Sequence, residues 1–349
     1  MSAPPNPLRL SVIFVARHSL SSVKKILECL LAQTAASRIE LILSADSSDL
    51  LREAEDFLAP HASFEKSCFL LHRTRDLAQA RALSVAEATG DAVAFNEDHS
   101  FPEPNWAEEL LEAFDSSEEI QAAAPAMLNP NPETAVSRVQ FLLFFGCSKN
   151  DSSSHVRFEI ADGLPWHNTA YRRNALAEAI HDENSFLIEG FLQREIRTNR
   201  SQARFVRCPH TCVTHVNMSR FCPAIKHAFL GGRIFGSERA KQLGWGPAAK
   251  VLRFVVFPLV PLMVIHRSAS LLRDESSLAN TVSNLCTAYT LKLVHAFGES
   301  FGTCFGLGSA AGAYADLECA RMRFVRPAER SNLLSMQDPS ASPRNGKGR

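Results

Sequence analysis

The sequence lacks a net charge: 37 lysines and arginines balance 37 aspartates and glutamates over 349 residues. That balance excludes a global field favouring nucleic acid or a strongly acidic partner, and no nucleic-acid partner is expected. Paired short cysteine spacings of the common zinc modules are also missing. The nine cysteines are odd in number and scattered, several within apolar runs, which points to reduced core residues in a cytosolic compartment rather than a disulfide framework. Cys208-Pro-His-Thr-Cys212, with His215 and Cys222 beyond, has metal-ligand residue types without zinc spacing. Met1 to Pro7 has neither the basic segment nor the apolar core of a signal peptide, so the enzyme-like part is expected to face the cytosol. A long uninterrupted apolar run is absent as well. Val251 to Ile265 comes nearest, but Arg253, Pro258 and Pro261 interrupt it.

What is present is an alternation of strand-like and helix-like segments. Leu10-Ser-Val-Ile-Phe-Val-Ala16 is a continuous apolar, β-branched run, as expected of a parallel strand covered on both faces. Val23, Ile26, Leu27, Leu30 and Leu31 then recur at three and four, an amphipathic helix opening after the capping-competent Ser19 to Ser22. Further strands are expected at Ile39–Leu43, Cys68–Leu71 and Ala92–Phe95. A helix from about Leu77 to Ala88 stops at Gly90, and Asn105-x-x-Glu108 reads as a capping box for a helix bearing Trp106, Leu110, Leu111 and Phe114. The economical fold is α/β, a doubly wound, mostly parallel sheet. In such sheets ligands bind beyond the carboxyl ends of the strands, which singles out the loops Arg17–Ser19, Asp46–Asp49 and Asn96–Ser100.

From about Gly236 the character shifts to apolar helix. Val251–Ile265 and Leu291–Tyr314, near Lys250, Arg253, Arg267 and Arg273, read as a re-entrant or interfacial hairpin, with helices packed on the catalytic domain or on a second copy as the alternative. The expected organisation is a flexible 1–8, an α/β domain over 9–235, an apolar, membrane-associated helical region over 236–325 and a disordered tail over 326–349.

The third loop carries Glu97-Asp98-His99 at the end of a buried strand. Three consecutive metal-ligating groups there suit a divalent ion that bridges two phosphates, although a solvated acidic turn looks the same in isolation. Its surroundings favour the ion. The first strand, the helix ending in Leu30-Leu31-Ala32-Gln33-Thr34, the second strand and Asp46-Ser-Ser-Asp49 together resemble the opening of glycosyltransferase family 2. Ala80-Arg81 and Ala88-Thr-Gly-Asp-Ala-Val-Ala-Phe95 are similar to that family's arginine-bearing helix and the lead into its metal strand. Glu97-Asp98-His99 stands where the family has its Asp-x-Asp-type motif. Asn168-Thr-Ala-Tyr-Arg172-Arg173 resembles its acceptor-side segment, and Glu189-Gly-Phe-Leu192, followed by Val213-x-His215, its base segment with the following strand and histidine. The resemblance runs in order from Leu10 to His215.

That resemblance implies a GT-A fold and an inverting, metal-assisted transfer from a nucleotide-diphosphate sugar to a hydroxyl acceptor. It assigns Glu189 as general base, Asp46, Arg81 and Asp98 to the nucleotide sugar, Glu97, Asp98 and His99 to Mn2+ or Mg2+, and Asn168 and Arg172 to acceptor or diphosphate. His215 is either a third metal ligand or simply a strand-end residue, with the second reading preferred. The histidine suits manganese better than magnesium. The basic, aromatic segment Lys226–Lys241 is expected to cover the site, and the apolar C-terminal region implies a lipid-linked or envelope-glycan acceptor at the cytoplasmic face of a membrane. Three departures stand out: Glu-Asp-His replaces Asp-x-Asp, Gly190 replaces a second acid, and Ser44-Ala45 stand where an earlier aspartate often contacts the base. They motivate an alternative, a catalytically inactive nucleotide-binding or scaffold subunit. A nucleotidyltransferase is disfavoured, because Ala16-Arg17-His18-Ser19 stands where its glycine-rich phosphate loop would be.

Overall fold

All seven residues of β1 (Leu10–Ala16) and of β2 (Ile39–Ala45) are buried, as strands covered on both faces require. The computed structural model describes residues 7–146, 156–165, 168–182, 186, 188–273 and 277–335. Helices α1 (Leu20–Leu31), α2 (Ser48–Leu58) and α3 (Leu77–Glu87) alternate with these strands and with β3 (Lys66–Leu71) and β4 (Ala92–Asn96). After them come β5 (Ser100–Pro102), α4 (Trp106–Ser116), β6 (Ile120–Leu128), α5 (Ala135–Phe145), β7 (Glu159–Ile160), β8 (Ala170–Arg172), α6 (Arg173–Ala179), α7 (Glu189–Asn199) and β9 (Arg204–His215). The sheet runs β3-β2-β1-β4-β8-β6-β9-β5, with β7 beside β9. The pairs β3-β2, β2-β1, β1-β4 and β6-β9 are parallel, while β8 is antiparallel between β4 and β6. The architecture is thus mixed α/β with a mostly parallel sheet.

One charged residue sits inside this core. Glu40 in β2 is 1% exposed and accepts hydrogen bonds from Ser11 Oγ (2.5 Å), Thr89 N (2.8 Å), Thr89 Oγ1 (2.9 Å) and Lys66 Nζ (3.1 Å). Gly90 closes against the same place: a Cβ there would lie 2.7 Å from both Ser11 N and Ser11 Oγ. Thr89-Gly90 is therefore a structural knot at the amino ends of the strands, opposite the edge formed by their carboxyl ends.

The expected capping box at Asn105 and Glu108 does not form. Asn105 donates to His210 O (3.0 Å) and accepts from Thr211 Oγ1 (3.0 Å), while Glu108 accepts from Thr34 Oγ1 (2.7 Å), so tertiary partners have taken both side chains. All eight cysteines described are free. Cys208 and Cys212 are core residues as expected, but Cys222 and Cys286 are exposed; Cys147 lies outside the described residues.

The C-terminal region comprises α8 (Phe221–Gln242), α9 (Pro247–Val256), α10 (Val260–Leu272), α11 (Leu278–Phe305), α12 (Ala310–Glu318) and α13 (Pro327–Ser335). The boundary expected at residue 235 falls inside α8, because the glycines there serve a helix crossing. A Cβ on Gly236 would lie 1.8 Å from Glu299 O, and one on Gly302 would lie 2.0 Å from Arg233 O. Gly232 and Gly298 meet the partner backbone in the same way, so α8 and α11 touch main chain to main chain. The apolar stretch from Leu291 is consequently a packed core helix for most of its length, rather than half of an interfacial hairpin.

The other apolar stretch is longer than the sequence suggests. Residues 247–272 form a 26-residue helical run, the one helix among those described that is long and apolar enough to cross a membrane, with 6% of its most apolar window buried. Pro258 and Pro261 do not break it, since each occupies a first-turn position, Pro258 in the 3-10 turn Phe257–Leu259 and Pro261 in α10. Val251, Leu252, Val255 and Leu259 are each at least 60% exposed. A second correction concerns the tail. Residues 327–335, expected to be disordered, form α13, held because Leu333 and Val325 pack on Phe101 and Val216, and because Asn131 donates to Glu329 (3.3 Å). Residues 336–349 lie outside the described residues.

Candidate active site

β4 ends at Asn96, whose side chain accepts from Glu97 N (2.7 Å) and turns the chain so that Glu97, Asp98 and His99 point back into the protein, each less than 8% exposed. β5 then pairs antiparallel with β9, placing Ser100 opposite His215, and Val216 N donates to His99 O (3.0 Å). This register carries His215 to the turn. Its Nε2 lies 3.6 Å from Glu97 Oε2, and His99 Nε2 lies 3.3 Å from the same oxygen. The two imidazoles meet edge to face at 4.8 Å, and the ligand atoms of Glu97, His99 and His215 all lie within 4.8 Å of one another.

Asp98 takes a different position from the one expected. Its Oδ1 lies 2.7 Å from His99 Nδ1 and so orients the imidazole from behind, while Glu97, His99 and His215 are the three groups placed so that they could share a cation. Burial, reinforced by the charges of Glu97 and Glu318, pushes the Asp98 carboxyl up to about 8. His215, read as a strand-end residue, is both that and a member of the triad. One carboxylate and two imidazoles suit manganese better than magnesium, so the donor set fits a divalent cation of that kind.

Arg81 is buried rather than solvated, with Nη2 3.4 Å from Glu97 Oε1. Asp46, exposed after β2, lies 4.0 Å from the buried Arg17 guanidinium at the end of β1. Two of the expected residues are elsewhere. Arg172 sits at the amino end of β4, opposite Ala92, and clamps the carbonyls of Ile120 (2.8 Å), Phe114 (2.7 Å) and Ser117 (3.1 Å). It is a structural clamp at the far edge of the sheet. Asn168 is fully buried with φ 60°, a left-handed conformation that asparagine tolerates; its N–H donates to Phe95 O (2.8 Å) and its carbonyl accepts from Trp106 Nε1 (3.2 Å). It is a turn residue behind β4.

Glu189 opens α7, where a carboxylate also suits the helix dipole, and accepts from Gln193 Nε2 (2.7 Å). Gly190 beside it faces open space, so nothing within 4 Å requires a glycine there. A cavity of about 320 Å3 has Glu97 and Arg81 on one wall, Glu189 and Gly190 on another, and His227 and Phe235 of α8 on a third. The basic, aromatic helix thus lines the site as expected.

The C-terminal segment supplies residues that no sequence signal marked. Glu318 stands 3.9 Å from His99 Nε2 and accepts from His227 Nε2 (2.6 Å). Burial would raise its carboxyl, but Arg321, which bonds it directly, and His227 hold it well below the ordinary carboxylate range. Two residues earlier, Asp316 bonds Arg17 Nη1 (2.6 Å) and Arg75 Nη2 (2.8 Å). Glu318 and Cys319 leave only about 10 Å3 above the ends of β1 and β4.

A mostly parallel sheet with a buried carboxylate–histidine cluster at its strand ends, facing a cavity, is the arrangement of the GT-A type of α/β fold. Residues 11–179 match the family model described as glycosyl transferase family 2. That match covers just under half of the chain, and over those residues the sequence is similar to glycosyltransferase family 2. Among solved structures, GalNAc-T7 with UDP, GalNAc and Mn2+ is 16% identical, with a TM-score of 0.46 over 61% of this chain and 44% of that one. This chain therefore spans less than half the length of that protein. TarS 1-349 of S. aureus, in complex with UDP, is 12% identical, with a TM-score of 0.45 over 82% of this chain and 90% of that one. No curated protein matches this chain.

Proposed function

We propose that the protein transfers a sugar, with inversion, from a nucleotide-diphosphate sugar to a hydroxyl of a lipid-linked or envelope glycan at the cytoplasmic face of a membrane. The observation that carries this reading is that one cavity has both Glu97, from the ligand triad, and Glu189 on its walls. Glu97, His99 and His215 would hold the cation, which when bound neutralises charge on the leaving diphosphate. Asp98 fixes the tautomer and orientation of His99. Glu189 takes the proton of the acceptor hydroxyl as the new bond forms, its carboxylate steadied by Gln193. Arg81, and Arg17 with Asp46 at the neighbouring strand end, contact the nucleotide sugar. Admission of the donor displaces Glu318 and Cys319 from the strand ends. The exposed apolar helix 247–272 supports membrane attachment.

The test is calorimetric binding of UDP, GDP and TDP to the full chain, with and without manganese, on the wild type and on a Glu97→Ala/His99→Ala double variant. Manganese-dependent binding of one nucleotide that the double variant loses is the expected result. A folded wild type that binds none of the three sinks the donor-site reading. For Glu189→Gln, nucleotide affinity is expected to be retained while turnover falls by about 100-fold or more; undiminished turnover would remove Glu189 as the base.

A further inference from the structure

The cavity wall formed by α5 and α11 holds a lysine the mechanism does not use. Lys292 lines the cavity, is only partly exposed, and makes no ion pair among the described residues. Its Nζ lies 5.9 Å from the centre of the Phe144 ring. Burial lowers the ammonium, and the same charge, after burial, helps hold His295 one turn on at about 3. A cation kept in an apolar wall without a carboxylate costs stability, which a bound anion offsets.

The surroundings say what kind of anion. Leu143, Ala224, Ala228 and Leu291 belong both to the cavity wall and to an apolar cluster that continues to Ile265 and Leu272 of α10, the exposed apolar helix. Phe144, on the same wall, is 53% exposed, so this side of the cavity reaches the protein surface. The carboxylates Glu97 and Glu189 line other walls and repel an anion there. The chemistry therefore runs from apolar cluster to cation to carboxylates, which is the order of hydrocarbon chain, phosphate and sugar hydroxyl in a lipid phosphate that carries a glycan.

We infer that this cavity takes a phosphate-bearing lipid as acceptor, with the phosphate at Lys292, the chain along Leu143, Leu291 and α10, and the hydroxyl at Glu189. The inference rests on the transfer reading above and names its acceptor class. The test titrates octyl phosphate, 1-octanol and inorganic phosphate into the full chain in phosphatidylcholine nanodiscs, with empty discs subtracted, for the wild type, Lys292→Met and Lys292→Arg. Octyl phosphate is expected to bind the wild type, to weaken by about tenfold or more in Lys292→Met, and to bind Lys292→Arg within about threefold of wild type. Octanol binds both equally, inorganic phosphate binds at least about tenfold more weakly than octyl phosphate, and the Lys292→Met melting temperature is not lowered. Equal affinity of Lys292→Met and wild type for octyl phosphate overturns the inference. So does inorganic phosphate binding as tightly as octyl phosphate, which would mean an anion site without chain recognition, or octanol binding as tightly, which would mean an apolar pocket alone. Manganese-dependent UDP binding is followed in parallel. Its loss in the wild type strikes the transfer reading, whereas its retention without octyl phosphate binding strikes this inference only.

Discussion

Glu40 offers the sharpest quantitative test of how this fold is held. Burial pushes its carboxyl up, but the bonds from Ser11, from the Thr89 amide and hydroxyl, and from Lys66 outweigh burial and bring it down from 4.5 to about 2. A folded-state pKa below the unfolded value means that the stabilisation is fully present above the unfolded value and is lost as pH falls through the folded one. The depression corresponds to about 3 kcal/mol at neutral pH. Glu40→Gln keeps the shape but turns an amide NH2 towards donors, leaving at least one of them buried without an acceptor, so the expected loss is about 3 kcal/mol at pH 7. Urea unfolding of the full chain in a non-ionic detergent, repeated between pH 7 and pH 3, measures it. The gap between wild type and variant should narrow as pH falls below about 4.5, because only the wild type loses the contribution. A gap of the same size at every pH would show that packing, not the carboxylate charge, is what the substitution removes, and an equally stable variant would refute the reasoning altogether.

His215→Ala should weaken manganese-dependent nucleotide binding by about 100-fold while metal-free affinity stays put; unchanged manganese binding in a calorimetric titration would remove His215 from the ligand set. Gly236→Ala places a methyl 1.8 Å from Glu299 O, so α8 and α11 must part, and unfolding should show a loss of at least about 2 kcal/mol. An unshifted melting temperature would contradict the main-chain contact. Arg172→Met should cost about 2 kcal/mol through the carbonyls it abandons, yet leave nucleotide affinity within about twofold of wild type. A selective loss of binding would return Arg172 to the site.

The residues that declare themselves in the sequence are those whose neighbours along the chain fix their environment. Leu10–Ala16 reads as a buried strand because seven residues in a row are apolar or small there, Ile39–Leu43 reads as one despite Glu40, and Glu97-Asp98-His99 is conspicuous because its metal-ligating groups are adjacent. Glu189 and Arg81 are singled out by the family resemblance, not by spacing. What stayed hidden depends on register between distant segments. His215 reaches Glu97 only because β5 pairs with β9, and nothing within Val213-x-His215 announces that pairing. Asn105 and Glu108 match a capping pattern, but His210, Thr211 and Thr34 compete for the same atoms and win. The boundary expected near residue 235 rests on the shift to apolar character, and nothing in the sequence shows that the glycines of α8 and α11 close on one another across it. Arg172 shows the opposite failure: a motif position can be kept by carbonyls that need a donor as readily as by a ligand.

The bond between Arg17 and Asp316 spans 299 residues. The first loop of the domain is thus pinned by nearly the last helix, and Glu318 approaches the histidine cluster from the same late segment. During synthesis the sheet can assemble long before those residues leave the ribosome, with its strand ends still open to water and ions. A chain cut short before Ala310 would carry the whole triad, Arg81 and Glu189, yet lack the plug over the strand ends and the counter-charge that holds Arg17. The space above its strand ends would be wide, wet and unguarded, so truncation from this end changes access to the cluster while sparing the residues that compose it.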